Sequence, residues 1–207
     1  MDVRLAAIEQ GGEVAKGRDS GMPAASQWES FFDADRLLDA LVREPVAGDV
    51  IEFGCGYGTF TIPAARKIKG TIYALDIEQA MVEATALRAA EAGVNNVVVE
   101  RRDFLSDGCG RESQSMGTAL LFNILHIEDP VRLLQEAHRV LRPGGVAAMI
   151  HWNHDGRTPR GPPLEIRPRP EQCRRWGEEA GLSWIRNEVL PGSPWHWGMV
   201  MARRSPV

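Results

Sequence analysis

The sequence predicts an α/β fold in which a mainly parallel sheet carries helices on both faces. Short apolar runs alternate along the chain with longer segments of strong helix-forming residues. The predicted strands lie at 50–53, 71–75, 97–99, 118–122 and 145–150. Strands separated by helices pair in parallel through right-handed crossovers, and ligands then bind beyond the carboxyl ends of the strands. We therefore expect a ligand site along one edge of the sheet.

The two helices nearest the first strand have identifiable starting points. Asp33 is placed to cap a helix whose apolar face contains Leu37, Leu38 and Leu41. After the first strand, Thr61 is expected to cap a second helix, which accepts a proline in its first turn and ends near residue 70. Both helices are expected to pack on the sheet.

Three more helices and two closing strands complete the predicted fold. The helices span 78–92, 129–141 and 171–180, and the strands span 182–189 and 197–203. Gly93 and Gly181 are suited to end the first and last of these helices, since glycine readily adopts the left-handed conformation found there. Asp129 and Pro130 are suited to begin the middle one.

The composition is that of an ordinary globular chain and narrows the classes of partner. Of the 207 residues, 43% are hydrophobic and 25% are charged, which fits a single domain with a substantial core. A net charge of -4 argues against generic nucleic-acid binding, which requires a basic face. No apolar run reaches the ~18 residues of a membrane span, and three distant cysteines fit a reducing compartment. We therefore expect a soluble, cytoplasmic protein without nucleic-acid or membrane partners.

The stretch 49–58, D-V-I-E-F-G-C-G-Y-G, organises the predicted ligand site. A buried strand ends there in three glycines at every second position. Glycine adopts positive φ and lets the backbone approach a ligand closely, so this turn predicts a nucleotide pocket. The dinucleotide fingerprint requires glycine where this chain has Thr59, and Glu52 disfavours a neighbouring pyrophosphate. A ligand that carries an ammonium and a sulfonium group fits better.

These residues resemble those of a known enzyme family. The segment E-F-G-C-G-Y-G at 52–58 resembles the first motif of class I S-adenosylmethionine-dependent methyltransferases, of the small-molecule type 11 and type 25 kind. Asp76 resembles their ribose-binding carboxylate, and Asp103 with Phe104 resembles their adenine-binding pair. L-R-P-G-G at 141–145 resembles the turn before their fifth strand.

The resemblance implies a Rossmann-like, seven-stranded sheet with an antiparallel last strand. It also implies S-adenosyl-L-methionine as cofactor and S-adenosyl-L-homocysteine as product. The implied cofactor-binding residues are Glu52, Gly54, Cys55, Gly56, Gly58, Asp76, Ile77, Asp103, Phe104 and Asn123.

One domain accounts for most of the chain. Residues 1–21 are interrupted by glycines and are expected to form a flexible lead-in, followed by a single class I methyltransferase domain over 22–207. Within that domain the resemblance implies a helical lid over about 26–43 and an acceptor-side loop over about 151–169. Trp28 in the lid is a candidate acceptor contact, and ordinary core packing is the alternative.

Two histidines that follow the fourth and fifth predicted strands are the candidate catalytic residues. His126 and His151 lie where members of the family place acceptor-facing residues, and histidine is suited to remove a proton near neutral pH. Both are also candidate substrate contacts, with plain loop positions as the alternative. His151, His154 and Asp155 offer metal ligands, but their spacing matches no specific pattern, and we expect no metal.

The proline-rich loop after the fifth strand carries several arginines. Guanidinium groups bind carboxylates and phosphates through paired hydrogen bonds, so Arg157 and Arg160 predict contacts to an anionic acceptor. A solvated, ion-paired loop is the alternative.

Together these features predict an enzyme that transfers a methyl group from S-adenosylmethionine to a small molecule by in-line displacement. One alternative is a non-catalytic S-adenosylmethionine-binding partner or regulatory subunit. A less favoured alternative is a nicotinamide-dependent oxidoreductase. The acceptor atom and the oligomeric state are not indicated by the sequence.

Overall fold

The structure, a computed structural model, describes residues 21–42 and 48–205. The strands in these ranges are β1 Asp49–Phe53, β2 Ile72–Asp76, β3 Val97–Arg101, β4 Met116–Phe122, β5 Leu141–Trp152, β6 Ser183–Glu188 and β7 His196–Ala202. The helices are α1 Ala25–Glu29, α2 Ala34–Leu41, α3 Thr61–Lys67, α4 Gln79–Glu91, α5 Pro130–Val140 and α6 Pro170–Glu179, with a 3₁₀ turn at Leu164–Ile166. The expected lead-in lies outside the described residues, apart from Gly21.

The described strands form one seven-stranded sheet in the order β3-β2-β1-β4-β5-β7-β6. Strands β1 to β5 pair in parallel, whereas β7 is antiparallel to both of its neighbours, β5 and β6. The predicted mainly parallel sheet with an antiparallel last strand is therefore confirmed. The carboxyl ends of β1 to β5 consequently lie along one edge of the sheet, beside the amino-terminal end of β7.

Two apolar clusters cover the two faces of the sheet. On one face, Ile51 and Leu121 pack with α5 and α6. On the other face, Val50 and Leu120 pack with α2 and α3. Because successive strand residues point to opposite faces, the continuous apolar runs of the central strands supply both clusters. This burial on both sides fixes the position of the edge where the strands end.

Two helices begin at the capping residues predicted for them. The side chains of Asp33 and Asp129 each accept a hydrogen bond from the backbone N–H three residues later, at 3.2 and 3.0 Å, which confirms both caps. The prediction for Thr61 was wrong, because Thr61 is the first residue of α3 and does not cap it. Its hydroxyl instead donates a hydrogen bond to the carboxyl of Glu52, and α3 ends at Lys67.

Two elements differ from the predicted pattern. Helix α1 is separate from α2, whereas the sequence predicted a single capped helix in this region. Strand β5 begins at Leu141, so L-R-P-G-G belongs to the strand and is not a turn before it. Gly144 has φ +77° there, and its N–H donates to the carbonyl of Arg203 at 2.8 Å. This left-handed glycine permits an irregularity where the pairing of β5 with β4 shifts register.

Candidate active site

A cavity lies along the edge where the parallel strands end. It is bordered by the segments that follow β1 to β4, by the end of β5, by the amino-terminal segment and by the loop after β5. The predicted residues that line it are Trp28, Gly54, Cys55, Gly56, Asp76, Ile77, Phe104, Asn123, His126 and Arg160. The predicted residues outside its lining are Glu52, Gly58, Asp103, His151 and Arg157.

The glycine turn after β1 presents bare backbone to the cavity. Gly54 and Gly56 have φ values of +79° and +54°, a conformation that residues with a Cβ rarely adopt. A Cβ on Gly56 would lie 3.0 Å from the sulfur of Met22, so the glycine also permits close packing. Gly58 has φ +73° but packs against α4 outside the lining.

Burial raises the pKa of the Cys55 thiol well above its usual value, which keeps the thiol protonated.

Asp76 connects the end of β2 to the glycine turn. Its Oδ2 accepts a hydrogen bond from the N–H of Gly56 at 2.9 Å, and its Oδ1 accepts one from the N–H of Glu78 at 3.0 Å. Asp76 is only 7% exposed and lines the cavity, with Ile77 beside it. Burial raises the pKa of the carboxyl, and the two N–H donors oppose that rise. A carboxylate held in this way can accept hydrogen bonds from ligand hydroxyls.

Glu52 is buried outside the lining of the cavity. Only 1% of the residue is exposed, and its Oε2 accepts a hydrogen bond from the hydroxyl of Thr61 at 2.5 Å. Burial raises the pKa of Glu52 to about 8, so this carboxyl is mostly protonated at neutral pH. A direct contact between Glu52 and a cofactor stays a prediction.

The predicted adenine-binding pair is divided between two sites. Phe104 lines the cavity and packs edge to face on Phe53, with ring centroids 5.3 Å apart. Asp103 lies in an adjoining depression, and its carboxylate accepts hydrogen bonds from the N–H and the hydroxyl of Ser106 at 3.2 and 3.0 Å. Ile77 borders both the cavity and the depression, so the two sites are neighbours.

Asn123 places a carboxamide in the lining of the cavity, between the ends of β1 and β5. It follows β4 with φ +55°, and its backbone N–H donates to the carbonyl of Ile150 at 2.7 Å. The Nδ2 and Oδ1 atoms of its side chain are buried and have no hydrogen-bond partner among the described residues. Unpaired buried polar atoms cost free energy, so this amide is suited to a ligand that both donates and accepts hydrogen bonds.

His126 and His151 form a hydrogen-bonded pair at the ends of β4 and β5. The Nδ1 atom of His126 lies 3.1 Å from Nε2 of His151. His126 lines the cavity, whereas His151 is 0% exposed and stacks on Trp197 of β7, with ring centroids 6.2 Å apart. Burial lowers the pKa of His151 well below its usual value, so its imidazole is neutral at pH 7. The structure therefore brings both predicted histidines together, with His126 at the cavity surface.

Besides Phe104, four aromatic side chains line the cavity and are called the aromatic wall: Trp28, Phe60, Phe122 and Trp152. The ring centroids of Trp28 and Trp152 are 6.5 Å apart, and those of Phe60 and Phe122 are 4.8 Å apart. Phe32 contacts both pairs, at 4.9 Å from Trp28 and 5.0 Å from Phe60. Phe60 and Phe122 were not predicted as site residues, because an apolar residue at the end of an element has the same pattern whether it faces a ligand or the core.

The amino-terminal segment lies against several parts of the cavity. Met22, Pro23 and Trp28 contribute to the lining. The hydroxyl of Tyr57, in the glycine turn, donates to the carbonyl of Pro23 at 3.0 Å. Glu29 of α1 forms an ion pair with Arg88 of α4. A helical lid over about 26–43 stays a prediction.

The two arginines predicted to bind the acceptor occupy different positions. Arg160 lines the cavity, and its Nη2 donates to the carbonyl of Gly21 at 2.9 Å. Arg157 lies outside the lining and forms an ion pair with Asp155 at 2.6 Å. Arg157 is therefore an exposed side chain that pairs with its neighbour in the loop.

Arg167 organises the loop after β5. Its buried guanidinium donates to the carbonyls of Asn153 and Pro162 at 2.9 and 2.7 Å, which joins the two ends of the loop. The Nδ1 atom of His154 lies 2.9 Å from the Arg167 carbonyl. The described part of the chain contains no group of three or more side chains that could hold a metal ion.

The comparisons with known proteins agree with this geometry. Residues 50–145 match a family described as "Methyltransferase domain". The matched residues include the glycine turn, Asp76 and Asn123, so this part of the chain is similar to a methyltransferase domain. The fold of the chain also resembles the crystal structure of a SAM dependent methyltransferase from Aquifex aeolicus, with a TM-score of 0.75 and 22% identity over 86% of this chain and 93% of that one.

The names of two curated relatives each include a small molecule. The chain is 36% identical over 114 residues to "Nocamycin O-methyltransferase" of Saccharothrix syringae, covering 54% of this chain and 40% of that protein. It is 31% identical over 115 residues to "Aklanonic acid methyltransferase DauC" of Streptomyces sp. (strain C5), covering 53% and 50%. The chain thus spans about half the length, or less, of these relatives.

The cavity fits the cofactor of the family, S-adenosyl-L-methionine. Bare glycine backbone, the Asp76 carboxylate and the unpartnered Asn123 amide provide room, an acceptor for hydroxyls and a polar contact. Within the described ranges, no helix has the length and apolar character needed to cross a membrane.

Proposed function

We propose that this chain transfers a methyl group from S-adenosylmethionine to a small molecule held in the same cavity. The observation that carries the proposal is the continuity of the cavity across the strand ends. Asp76 and the glycine turn border one end, His126 and Trp152 border the other, and Asn123 lies between them. The relatives named for nocamycin and aklanonic acid support a small-molecule acceptor.

The cofactor end of the cavity contains the groups that bind and orient the methyl donor. When bound, S-adenosylmethionine would supply a methyl carbon attached to a sulfonium. The acceptor atom would attack that carbon in line with the departing sulfur. Asp76 would accept hydrogen bonds from the ribose hydroxyls, and Phe104 would pack on the adenine. The Asn123 amide would pair with polar groups of the methionine part, against the bare backbone of Gly54 and Gly56.

The acceptor end contains a proton acceptor held by a buried partner. His126 removes the proton from an acceptor hydroxyl as the methyl group is transferred, and the hydrogen bond to His151 holds its ring in position. Because His151 stays neutral, it adds no positive charge that would oppose protonation of His126. The aromatic wall and the amino-terminal segment exclude water from the reacting atoms.

The first test is a cofactor titration by calorimetry with S-adenosylmethionine, S-adenosylhomocysteine and NADH. We expect the first two to bind and NADH not to bind. Asp76→Ala should weaken S-adenosylmethionine binding by about 10- to 100-fold, the effect of leaving buried hydroxyls without their acceptor. The matched control is Asp107→Ala, which removes an exposed carboxylate in the adjoining depression and should leave binding unchanged.

Two outcomes would contradict the proposal at the level of the cofactor. One is binding of NADH alone or of no ligand, and the other is an equal loss of affinity in both aspartate variants. A non-catalytic binding partner is distinguished afterwards, because it would bind the cofactor but methylate no acceptor.

A further inference from the structure

The cavity changes in chemical character along the sheet edge. At the β2 and β1 ends its lining contains the carboxylate of Asp76, Glu78 and the glycine backbone, which suit a polar nucleoside. At the β4 and β5 ends it contains the aromatic wall and Ile124. The cofactor accounts for the polar part, so the aromatic wall is the surface available to the acceptor. This inference rests on the proposed function and extends it to the class of acceptor.

The aromatic wall is held in place from several directions. Trp152 is 2% exposed, and the ring of Phe31 packs edge to face on it at 5.2 Å. His196 lies 4.1 Å from Trp152, and burial lowers the pKa of His196 to about 3, so this imidazole is also neutral. Trp28 is half-buried and packs on Trp152 from the amino-terminal segment. Rings that are already fixed lose little freedom when a flat ligand packs on them.

The charged groups near this end are engaged with the protein itself. Arg157 pairs with Asp155, and Arg167 donates to backbone carbonyls inside its own loop. Among the described residues that line the cavity, Arg160 is the only arginine. It is exposed, and its guanidinium donates a hydrogen bond to the carbonyl of Gly21. A carboxylate carried into the aromatic wall would lose its hydration without gaining an ion pair there, which is unfavourable.

From these features we infer that the acceptor is an uncharged aromatic alcohol, a phenol or hydroxyaryl ketone, whose ring packs against the aromatic wall at Trp28 and Trp152. Its hydroxyl points toward His126. In the reaction the oxygen forms a bond to the methyl carbon, the carbon–sulfur bond breaks with its electron pair left on sulfur, and the hydroxyl proton passes to His126. The products are an aryl methyl ether and S-adenosylhomocysteine, with the proton then released to solvent.

The test measures binding of three matched probes to the full chain saturated with S-adenosylhomocysteine, which prevents turnover. The probes are 2-naphthol, 6-hydroxy-2-naphthoate and 2-decalol, which differ in charge or in aromatic character at similar size. We expect 2-naphthol to bind at least about tenfold more tightly than either of the others, because only it combines a flat ring with zero charge.

Variants of Trp28 test whether the wall makes this selection. Trp28→Leu should weaken 2-naphthol binding about tenfold, and Trp28→Phe should restore most of the loss, since a flat ring is retained. The matched control is Trp184→Leu, which removes a partly exposed indole from β6 and should change nothing. With S-adenosylmethionine present, 2-naphthol should yield 2-methoxynaphthalene, detected by mass spectrometry.

The outcomes separate this inference from the function on which it rests. Equal or tighter binding of the naphthoate or of 2-decalol, no effect of Trp28→Leu, or no probe binding while S-adenosylhomocysteine binds would each overturn the acceptor class and leave the methyltransferase proposal standing. Failure of the chain to bind S-adenosylhomocysteine would overturn the proposed function itself.

Discussion

Replacing Glu52 with glutamine tests how strongly the protein interior acts on a carboxyl beneath the cofactor site. The folded pKa of about 8 lies above the usual value of 4.5, so the folded protein holds a proton that the unfolded chain releases. The contribution of this proton to the free energy of unfolding is complete below pH 4.5. It is lost as the pH rises through the folded pKa of about 8. Each pKa unit corresponds to about 1.4 kcal/mol, and the loss between pH 6.5 and 8 integrates to about 1.5 kcal/mol.

The assay is urea unfolding followed by circular dichroism at several pH values from 6.5 to 8. Glu52→Gln keeps a side-chain oxygen that can accept from Thr61 but carries no titrating proton. The free energy of unfolding of the wild type should therefore fall by about 1.5 kcal/mol more than that of Glu52→Gln over this interval. Glu91→Gln, on the exposed end of α4, should follow the wild type. Parallel pH dependences of wild type and Glu52→Gln would refute the reasoning.

The remaining predictions concern the site and its supports. His126→Gln should lower kcat by about 10²- to 10⁴-fold with unchanged S-adenosylhomocysteine affinity in calorimetry, and an unchanged kcat would exclude it as the base. His151→Leu should lower kcat, and His151→Gln should restore part of it, because glutamine can still hydrogen-bond to His126; equal rates for the two variants would contradict a positioning role. Gly56→Ala should destabilise the fold by about 1 to 2 kcal/mol in urea unfolding, the cost of a left-handed alanine, and no change would show that the turn relaxes. Arg167→Lys should make the loop after β5 more sensitive to limited proteolysis without changing cofactor affinity, and unchanged cleavage would argue against its role in the loop.

The fold was largely predictable because its signals are local. The apolar runs of the central strands and the aspartates before α2 and α5 act within a few residues of the elements they define. Thr61 shows where local reasoning fails. A threonine near the start of a helix predicts a cap equally well when its hydroxyl is needed by a buried carboxyl, and the burial of Glu52 depends on the whole sheet.

The candidate site was predictable where one strand end determines it. Asp76 is the last residue of β2, Asn123 and His126 lie within four residues after β4, and all three line the cavity. Arg157 and Arg160 belong to the same loop and show the same local chemistry, so only the ion pair to Asp155 separates them. The aromatic wall depended on how the amino-terminal segment packs against β5, and no pattern within either segment indicates that contact.

Because β7 is antiparallel, residues near the proposed acceptor can change independently of the cofactor-binding residues. Strands β1 to β5 reach the cavity with their last residues, whereas β7 meets the same edge with its first residues, His196 and Trp197, which contact Trp152 and His151. The hairpin between β6 and β7 can therefore change in length or sequence without altering any residue of the glycine turn or Asp76. A designer who wishes to alter acceptor preference while keeping the methyl donor would begin with that hairpin.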